Sequence, residues 1–193
     1  MRILVHICCA PCFTYPHKRM EEEGHEVTGF FYNPNIHPYQ EYKSRKVALE
    51  KYVERKAARV IYKDDYDIEN YLRGALDAKD RCRFCYTLRL AETAKTAVLL
   101  GFDAFSTTLL ISPYQKHEML AEVGKKAADE NHIEFYYEDF REGYGESREI
   151  AKALELYMQK YCGCIFSEKE RYFRGKAKGF SHIKNNKGEK IKT

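Results

Sequence analysis

Short apolar runs alternate with stretches of helical pattern along most of the chain, and this alternation is what most restricts its fold. The runs predict five strands, at residues 2–6, 26–32, 59–62, 104–110 and 134–137. The stretches around them predict seven helices, at residues 16–23, 39–56, 68–76, 82–100, 114–131, 147–159 and 167–177. Strands that alternate with helices favour a parallel sheet with helices on both faces, so we predict an α/β fold.

The length and hydropathy of the chain restrict its class. Its 193 residues suffice for one domain with a hydrophobic core, and we predict a single catalytic domain over residues 1–193. No apolar run approaches the roughly 20 residues that a membrane span needs. The opening segment lacks the long apolar stretch of a signal peptide. We therefore expect a cytoplasmic protein with no membrane partner.

Basic residues concentrate at the C-terminal end. Residues 171–193 carry eight lysine or arginine side chains and one acid, Glu189, so this segment has a charge of +7. The whole chain has a net charge of +4, and the preceding residues therefore sum to −3. A basic segment of this kind is typical of a phosphate-binding arm and also of a solvated tail. We expect its last residues to be flexible.

All seven cysteines fall into three groups. These groups are Cys8, Cys9 and Cys12; Cys82 and Cys85; and Cys162 and Cys164. A reducing compartment disfavours disulfides, so clustered cysteines indicate metal binding or redox chemistry. Cysteines that merely fill a core would be scattered, and the grouping argues against that alternative.

The first group directly follows the first predicted strand. In open α/β sheets, ligands bind beyond the carboxyl ends of the strands. Nucleotide-binding enzymes have a glycine-rich phosphate loop at this point, but the sequence contains neither GxGxxG nor GxxxxGK[ST]. The position therefore favours a thiolate-bound centre over a site for ATP or a dinucleotide.

The spacing of the other cysteines limits which metal centres or disulfides they can form. Cys82 and Cys85 are three residues apart, so on a helical turn their thiols face the same side. Thiolates suit either zinc or an iron–sulfur cluster, but a closed zinc site takes four ligands, so seven cysteines favour a cluster. Cys162 and Cys164 can close only a small, strained disulfide ring, which would be labile and redox-active, or they can chelate a metal.

The histidines are weaker candidates for functional residues than the cysteines. His6 lies in an apolar strand, where we expect a buried core residue. His37 follows the Asn-Pro-Asn loop and could face a ligand, whereas His117 is predicted to lie at the surface of a helix. We assign none of them as a metal ligand.

Five motifs occur in order across residues 3–167. They are HICCAPC, FYNPNIHPYQEY, DRCRFCYTLRL, FSTTLLISPYQKH and YCGC. In sequence and spacing they closely resemble the cobalamin-independent epoxyqueuosine reductases, the QueH family. This resemblance implies an α/β fold of the class shared with the adenine-nucleotide α-hydrolases, the HUP fold. It also implies the last step of queuosine biosynthesis, which removes the epoxide oxygen of epoxyqueuosine at the wobble position of tRNA.

The resemblance also implies cofactors and partners. The family carries a [4Fe-4S] cluster, whose ligands by motif are Cys8, Cys9, Cys82 and Cys85. Cys162 and Cys164 correspond to a redox-active pair. The family is thought to hold a second iron beside the cluster, for which Cys12 and an oxygen ligand such as Asp139 are our candidates. The implied partners are tRNA carrying epoxyqueuosine and an electron donor that the sequence does not identify.

The reaction itself suggests further roles. Expelling the epoxide oxygen as water takes two electrons and two protons, so a second redox or Lewis-acid centre beside a one-electron cluster is useful. Polar residues near predicted strand ends could bind the modified base or could only cap turns: Asn33, Asn35, Ser106, Thr107 and Thr108. Four basic residues are candidates to touch tRNA phosphates: Arg171, Arg174, Lys176 and Lys178.

Two functions of other classes also fit part of the pattern. A zinc-stabilised RNA-binding module would use the basic end and the sixteen tyrosines, but it leaves the Cys-Gly-Cys pair and the surplus thiols unexplained. A metal-free thiol oxidoreductase would use the Cys-x-x-Cys pair. It would keep its activity after chelation, whereas an iron–sulfur enzyme would not.

Overall fold

A five-stranded sheet runs through the centre of the protein, for which the computed structural model describes residues 1–173. The strands are β1 (Arg2–His6), β2 (Glu26–Phe31), β3 (Arg59–Tyr62), β4 (Ala104–Thr107) and β5 (Glu134–Phe135). They lie in the order β3-β2-β1-β4-β5, and all neighbouring strands are parallel. The predicted α/β fold with a parallel sheet is confirmed.

Among residues 1–173, seven α-helices flank the sheet. They are α1 (Ala10–Glu22), α2 (Tyr39–Lys56), α3 (Ile68–Asp77), α4 (Arg81–Leu99), α5 (His117–Asn131), α6 (Tyr144–Ala153) and α7 (Ile165–Tyr172). Helix α1 packs against α2 and α6, and α4 packs against α3 and α5. Crossovers between parallel strands are right-handed, which places these two sets on opposite faces of the sheet. None of the helices within residues 1–173 is long and apolar enough to cross a membrane.

Strand β1 forms the middle of the core. Ile3, Leu4 and Val5 are fully buried, as expected for a central parallel strand that is covered on both faces. At the neighbouring β2, Gly29 has no room for a side chain, since an added Cβ would lie 2.3 Å from Cδ1 of Ile7. The strand order reverses between β1 and β4, so the segment after β1 lies at the switch point where α/β folds bind ligands.

The first helix begins at Ala10, six residues before its predicted start. The predicted start at residue 16 was therefore wrong. Pro11 occupies the first turn, where its missing N–H costs no helical hydrogen bond. Cys9 is therefore the N-cap residue, and Cys12 lies within the first turn.

Other boundaries also differ from the predictions. Strand β4 ends at Thr107, whose hydroxyl accepts a hydrogen bond from the Leu109 amide, and a 3-10 helix follows at Thr108–Ile111. Helix α5 starts at His117 instead of residue 114, and α6 both starts and ends earlier than predicted. His117 was expected at the surface, but its side chain is only 9% exposed, because its Nε2 lies 3.1 Å from the carbonyl oxygen of Leu110.

Candidate active site

Three thiols converge where β1 passes into α1. Cys8 and Cys9 precede the helix, and Cys12 follows one turn later, so all three sulfur atoms lie within 4.8 Å of one another. All three side chains are buried, and the Sγ atoms of Cys8 and Cys9 are 3.7 Å apart. Within residues 1–173, no other set of three or more His, Cys, Asp or Glu side chains meets this distance. We call Cys8, Cys9 and Cys12 the thiol triad.

Thr108, which directly follows the neighbouring strand β4, contacts the triad through hydrogen bonds with Cys8. The Cys8 amide donates a hydrogen bond of 3.1 Å to Thr108 Oγ1, and the same hydroxyl donates to Cys8 Sγ at 3.4 Å. Because Thr108 follows β4 and Cys8 follows β1, this contact spans the switch point of the sheet.

The three thiols of the triad differ in their acidity. Hydrogen bonds from the thiols of Cys12 and Cys9 hold the pKa of Cys8 well below its usual value; the Thr108 hydroxyl adds to this effect, and burial opposes it. Burial raises the pKa of Cys9, and the hydrogen bond to Cys8 raises the pKa of Cys12. Thiolate, the ionised form of cysteine, is the ligand that zinc and iron–sulfur clusters prefer.

Cys82 lies in the first turn of α4, and Cys85 follows three residues later, at the start of the second turn. Asp80 caps this helix, since its carboxylate accepts hydrogen bonds from the amides of Cys82 (2.8 Å) and Arg83 (3.0 Å). Cys85 is buried, whereas Cys82 is exposed. Burial raises the pKa of both thiols, and the nearby sulfurs of the Cys-Gly-Cys segment raise them further. The two predicted pairs therefore lie close together.

The loop that carries Cys162 and Cys164 requires its central glycine. Gly163 has a φ of +112°, and an added Cβ would lie 2.9 Å from Cγ1 of Ile36. The amide of His37 donates a 2.7 Å hydrogen bond to the Gly163 carbonyl. Both cysteines are free thiols; Cys162 is exposed and Cys164 is partly buried.

Two buried arginines flank the cysteines, and the sequence analysis missed both. Arg45 is 1% exposed, forms a 2.8 Å ion pair with Glu41, and donates to the carbonyl oxygens of Tyr161 (2.9 Å) and Cys162 (3.2 Å). Arg89 is 3% exposed and lies four residues after Cys85 on α4. A basic residue one turn from a cysteine or an acid on the same helix face is the signal that could have found them.

The predicted substrate residues divide into two kinds. The hydroxyls of Thr107 and Thr108 are already engaged, by Nδ1 of His6 at 3.0 Å and by Cys8 respectively. Asn33 donates to the carbonyl of Ile7, but its Oδ1 atom has no partner within the described residues. The same holds for other buried polar atoms: Oδ1 of Asn35, both ring nitrogens of His37, Oγ of Ser106, the hydroxyls of Tyr62, Tyr66 and Tyr71, and Oε1 of Gln159.

These unpartnered atoms are available to bind a polar ligand or water. Buried polar groups are nearly always hydrogen-bonded, so such a set indicates groups that a polar ligand or water would satisfy. Burial lowers the pKa of His37, and the Pro34 carbonyl opposes this shift with a smaller effect. The ring of Tyr71 lies 5.2 Å from that of His37. Burial and the sulfurs of Cys85 and Cys164 raise the pKa of Tyr71, so its hydroxyl stays protonated.

His6 is enclosed in the core, whereas Asp139 caps a short helix near the surface. His6 is fully buried, and burial together with the charge of Arg89 lowers its pKa to about 3, which confirms a neutral core residue. Asp139 caps the 3-10 helix Phe140–Gly143, and its carboxylate accepts a 2.8 Å hydrogen bond from Nε of Arg141. That bond holds the pKa of Asp139 at about 2.

The basic segment is described only in part. Arg171 lies on α7 with its side chain exposed. The other three candidates for phosphate contact, Arg174, Lys176 and Lys178, lie outside the described residues.

Comparison with known proteins now identifies the family. The sequence profile of the family described as "Epoxyqueuosine reductase QueH" matches residues 3–170. A protein of that name from Dehalococcoides mccartyi is 40% identical over 172 residues, which cover 89% of this chain and 94% of the relative. Another from Thermotoga maritima is 36% identical over 181 residues, covering 88% and 91%. With its thiol triad at the switch point of an α/β sheet, the chain belongs to the QueH family of epoxyqueuosine reductases.

Proposed function

We propose that this chain removes the epoxide oxygen of epoxyqueuosine at the wobble position of tRNA and leaves the cyclopentene ring of queuosine. The observation that carries the proposal is the buried thiol triad at the switch point, in a chain of the QueH family. The unpartnered oxygen of Asn33, whose amide group donates to the carbonyl of Ile7 next to Cys8, would suit a substrate that carries hydroxyl and amine groups. We further propose that one catalytic domain performs the reaction.

The thiols fit an iron–sulfur cofactor. We propose Cys8, Cys9, Cys82 and Cys85 as the ligands of a [4Fe-4S] cluster. Supporting this, Cys8 has the lowered pKa of a ready ligand, and the charge of Arg89 acts on both Cys8 and Cys85. Cys12 is our candidate ligand for a second iron. Asp139 is the candidate oxygen ligand, but it would first have to release Arg141. When bound, the cluster would supply one-electron transfer and the second iron a Lewis acid.

The Cys-Gly-Cys pair can supply the electrons and protons that the reaction consumes. The epoxide oxygen leaves as water, which consumes two electrons and two protons. Oxidation of the Cys162 and Cys164 thiols to one disulfide releases two electrons and two protons. Cys162 is exposed, so an external electron donor can reach the disulfide and reduce it again. We propose this pair as the redox-active element.

The substrate contacts follow from which polar atoms are free. We propose that Asn33 and Asn35 accept hydrogen bonds from the substrate through their unpartnered Oδ1 atoms. Thr107 hydrogen-bonds His6, and Thr108 hydrogen-bonds Cys8, so both threonines position other residues of the site. The protonated hydroxyl of Tyr71, beside Cys164, is a further hydrogen-bond donor. Arg171, together with the basic residues that follow it, is proposed to contact tRNA phosphates.

The test is anaerobic purification followed by an assay on tRNA that carries epoxyqueuosine. We expect a brown protein with about four or more irons per chain, consistent with the four-thiolate site of a [4Fe-4S] cluster, that forms queuosine. Cys82→Ser should lose iron, whereas Cys162→Ser should keep iron but lose turnover. A colourless, zinc-loaded protein that leaves the epoxide intact would refute the proposal. Activity that survives removal of the metal would instead favour a thiol oxidoreductase.

A further inference from the structure

Arg89 places a positive charge inside the core, between the two groups of cysteines. It lies on α4 one turn after Cys85, and its Nε donates a 3.1 Å hydrogen bond to the Cys85 carbonyl. Only 3% of the residue is exposed. A buried ionised group costs several kcal/mol unless an opposite charge compensates it.

No carboxylate compensates Arg89 among residues 1–173. None of the ion pairs formed by these residues includes it. The groups that act on its charge are Cys85, Tyr71, Cys8 and Tyr86, in that order, and each is neutral when protonated. Arg45 differs, because it is equally buried but pairs with Glu41 at 2.8 Å. Among the described residues, the Tyr86 ring offers Arg89 a cation–π contact, with its centroid 5.9 Å from Cζ, and a full compensating charge is available from nearby sulfurs when they are negatively charged.

We propose that Arg89 is a positioning residue that compensates the negative charge of metal-bound thiolates and thereby sets the metal affinity and the reduction potential of the site. This inference rests on the proposed function, which supplies the cluster. The hydrogen bond from Arg89 Nε to the Cys85 carbonyl fixes the guanidinium beside α4, and its charge acts on both Cys85 and Cys8, which belong to different cysteine groups. Attraction between charges is strong in a buried, low-dielectric setting, and it grows when reduction adds an electron to the site.

A phosphate of the tRNA is the other anion that a guanidinium could bind. A phosphate would have to enter the core to reach a residue that is only 3% exposed, whereas Cys85 lies one turn away on the same helix and accepts a hydrogen bond from Arg89 through its carbonyl. The structure therefore favours the thiolates, and the tRNA affinity of Arg89 variants is expected to stay unchanged.

The experiment compares Arg89→Met, Arg89→Lys and Arg45→Met with the wild-type protein. Metal-free Arg89→Met should resist urea at least as well as the wild type, because an uncompensated charge has been removed. Metal-free Arg45→Met should be less stable, because Glu41 is left buried without its partner. After anaerobic reconstitution, Arg89→Met should lose iron to a chelator at least tenfold faster, and its midpoint potential should shift to more negative values. Arg89→Lys, which keeps the charge, should restore the potential in part.

Each remaining outcome overturns the inference. An unchanged potential and unchanged iron retention in Arg89→Met would remove Arg89 from the site. Metal-free Arg89→Met that unfolds as readily as Arg45→Met, or Arg89→Lys that loses iron as fast as Arg89→Met, would reduce Arg89 to a packing residue. Weakened tRNA binding with an unchanged potential would assign it to phosphate. If wild-type protein takes up no cluster, the proposed function fails as well.

Discussion

Cys8 and Thr108 hydrogen-bond to each other in both directions. The Cys8 amide donates to the threonine hydroxyl at 3.1 Å, and the hydroxyl donates to the cysteine sulfur at 3.4 Å. One side chain thus satisfies a buried amide and stabilises a thiolate at the same time. Cys8 follows β1 and Thr108 follows β4, and these two strands are neighbours in the sheet. The pairing of the strands therefore fixes the position of the first thiol.

Thr108→Val should therefore weaken the protein in two ways. It leaves the buried Cys8 amide without an acceptor, which should lower the free energy of unfolding of the metal-free protein by about 1–3 kcal/mol. It also removes a hydrogen bond that lowers the pKa of Cys8. Urea unfolding and iron content after reconstitution test these effects. Thr108→Ser, which keeps the hydroxyl, is the control, and a valine variant as stable as the serine variant would contradict this account.

Gly163→Ala should displace the Cys-Gly-Cys loop. A non-glycine residue at the φ of +112° costs about 1–3 kcal/mol, and the added Cβ meets Ile36. We expect lower stability in urea and a loss of turnover. Gly145 in α6 is the matched control, because an added Cβ there meets nothing within 4 Å, so Gly145→Ala should be neutral or stabilising by up to about 1 kcal/mol. Equal effects of the two substitutions would contradict the assigned role of Gly163.

Asn35→Ala should raise the KM of the reaction about tenfold and leave stability unchanged, since Oδ1 of Asn35 has no hydrogen-bond partner among residues 1–173. Asn33→Ala is the informative comparison. It removes the 2.7 Å hydrogen bond to the Ile7 carbonyl, so it should lower both stability and substrate affinity. Steady-state kinetics and thermal unfolding separate the two effects. A purely structural role of Asn35 would appear as a lowered melting temperature with an unchanged KM.

The sequence was sufficient to predict the sheet but not the internal arrangement of the site. The continuous apolar run Ile3–Val5 indicated a central strand because both faces of such a strand are buried. The family pattern separated Cys12 from Cys8, whereas the helix start at Ala10 brings their sulfurs together. That start was missed because Pro11 resembles a helix breaker until its place in the first turn is known.

Tertiary contacts decide what the sequence could not. A threonine after a strand is as suited to a ligand as to a buried amide, and only the packing of β1 on β4 shows that Thr108 faces Cys8. The charge of Arg89 is likewise ordinary in a helix sequence. It becomes unusual only because the fold buries it where no carboxylate of the described residues pairs with it.

The substitution Asp80→Ala tests whether the N-cap of α4 supports metal binding by Cys82 and Cys85. Losing this N-cap should cost about 1 kcal/mol of stability and loosen the start of the helix that carries Cys82 and Cys85. The hydrogen bond from the Arg83 amide is the main cause that lowers the pKa of Asp80. A lowered pKa in the folded state means that the carboxylate stabilises the protein above the unfolded pKa of about 3.9, and that this contribution disappears as the pH falls through the folded value.

The comparison is therefore made by urea unfolding of the metal-free protein at pH 7 and near pH 3, with iron content measured after reconstitution at neutral pH. Asp67→Ala is the matched control, because Asp67 caps α3 in the same way, accepting from the Asn70 amide at 3.1 Å, but carries no cysteine in its first turn. Both variants should be less stable at pH 7, and the deficit of Asp80→Ala should shrink near pH 3. Only Asp80→Ala should lose iron. Equal iron loss in the two variants would mean that general stability, and not the placement of Cys82 and Cys85, governs metal binding.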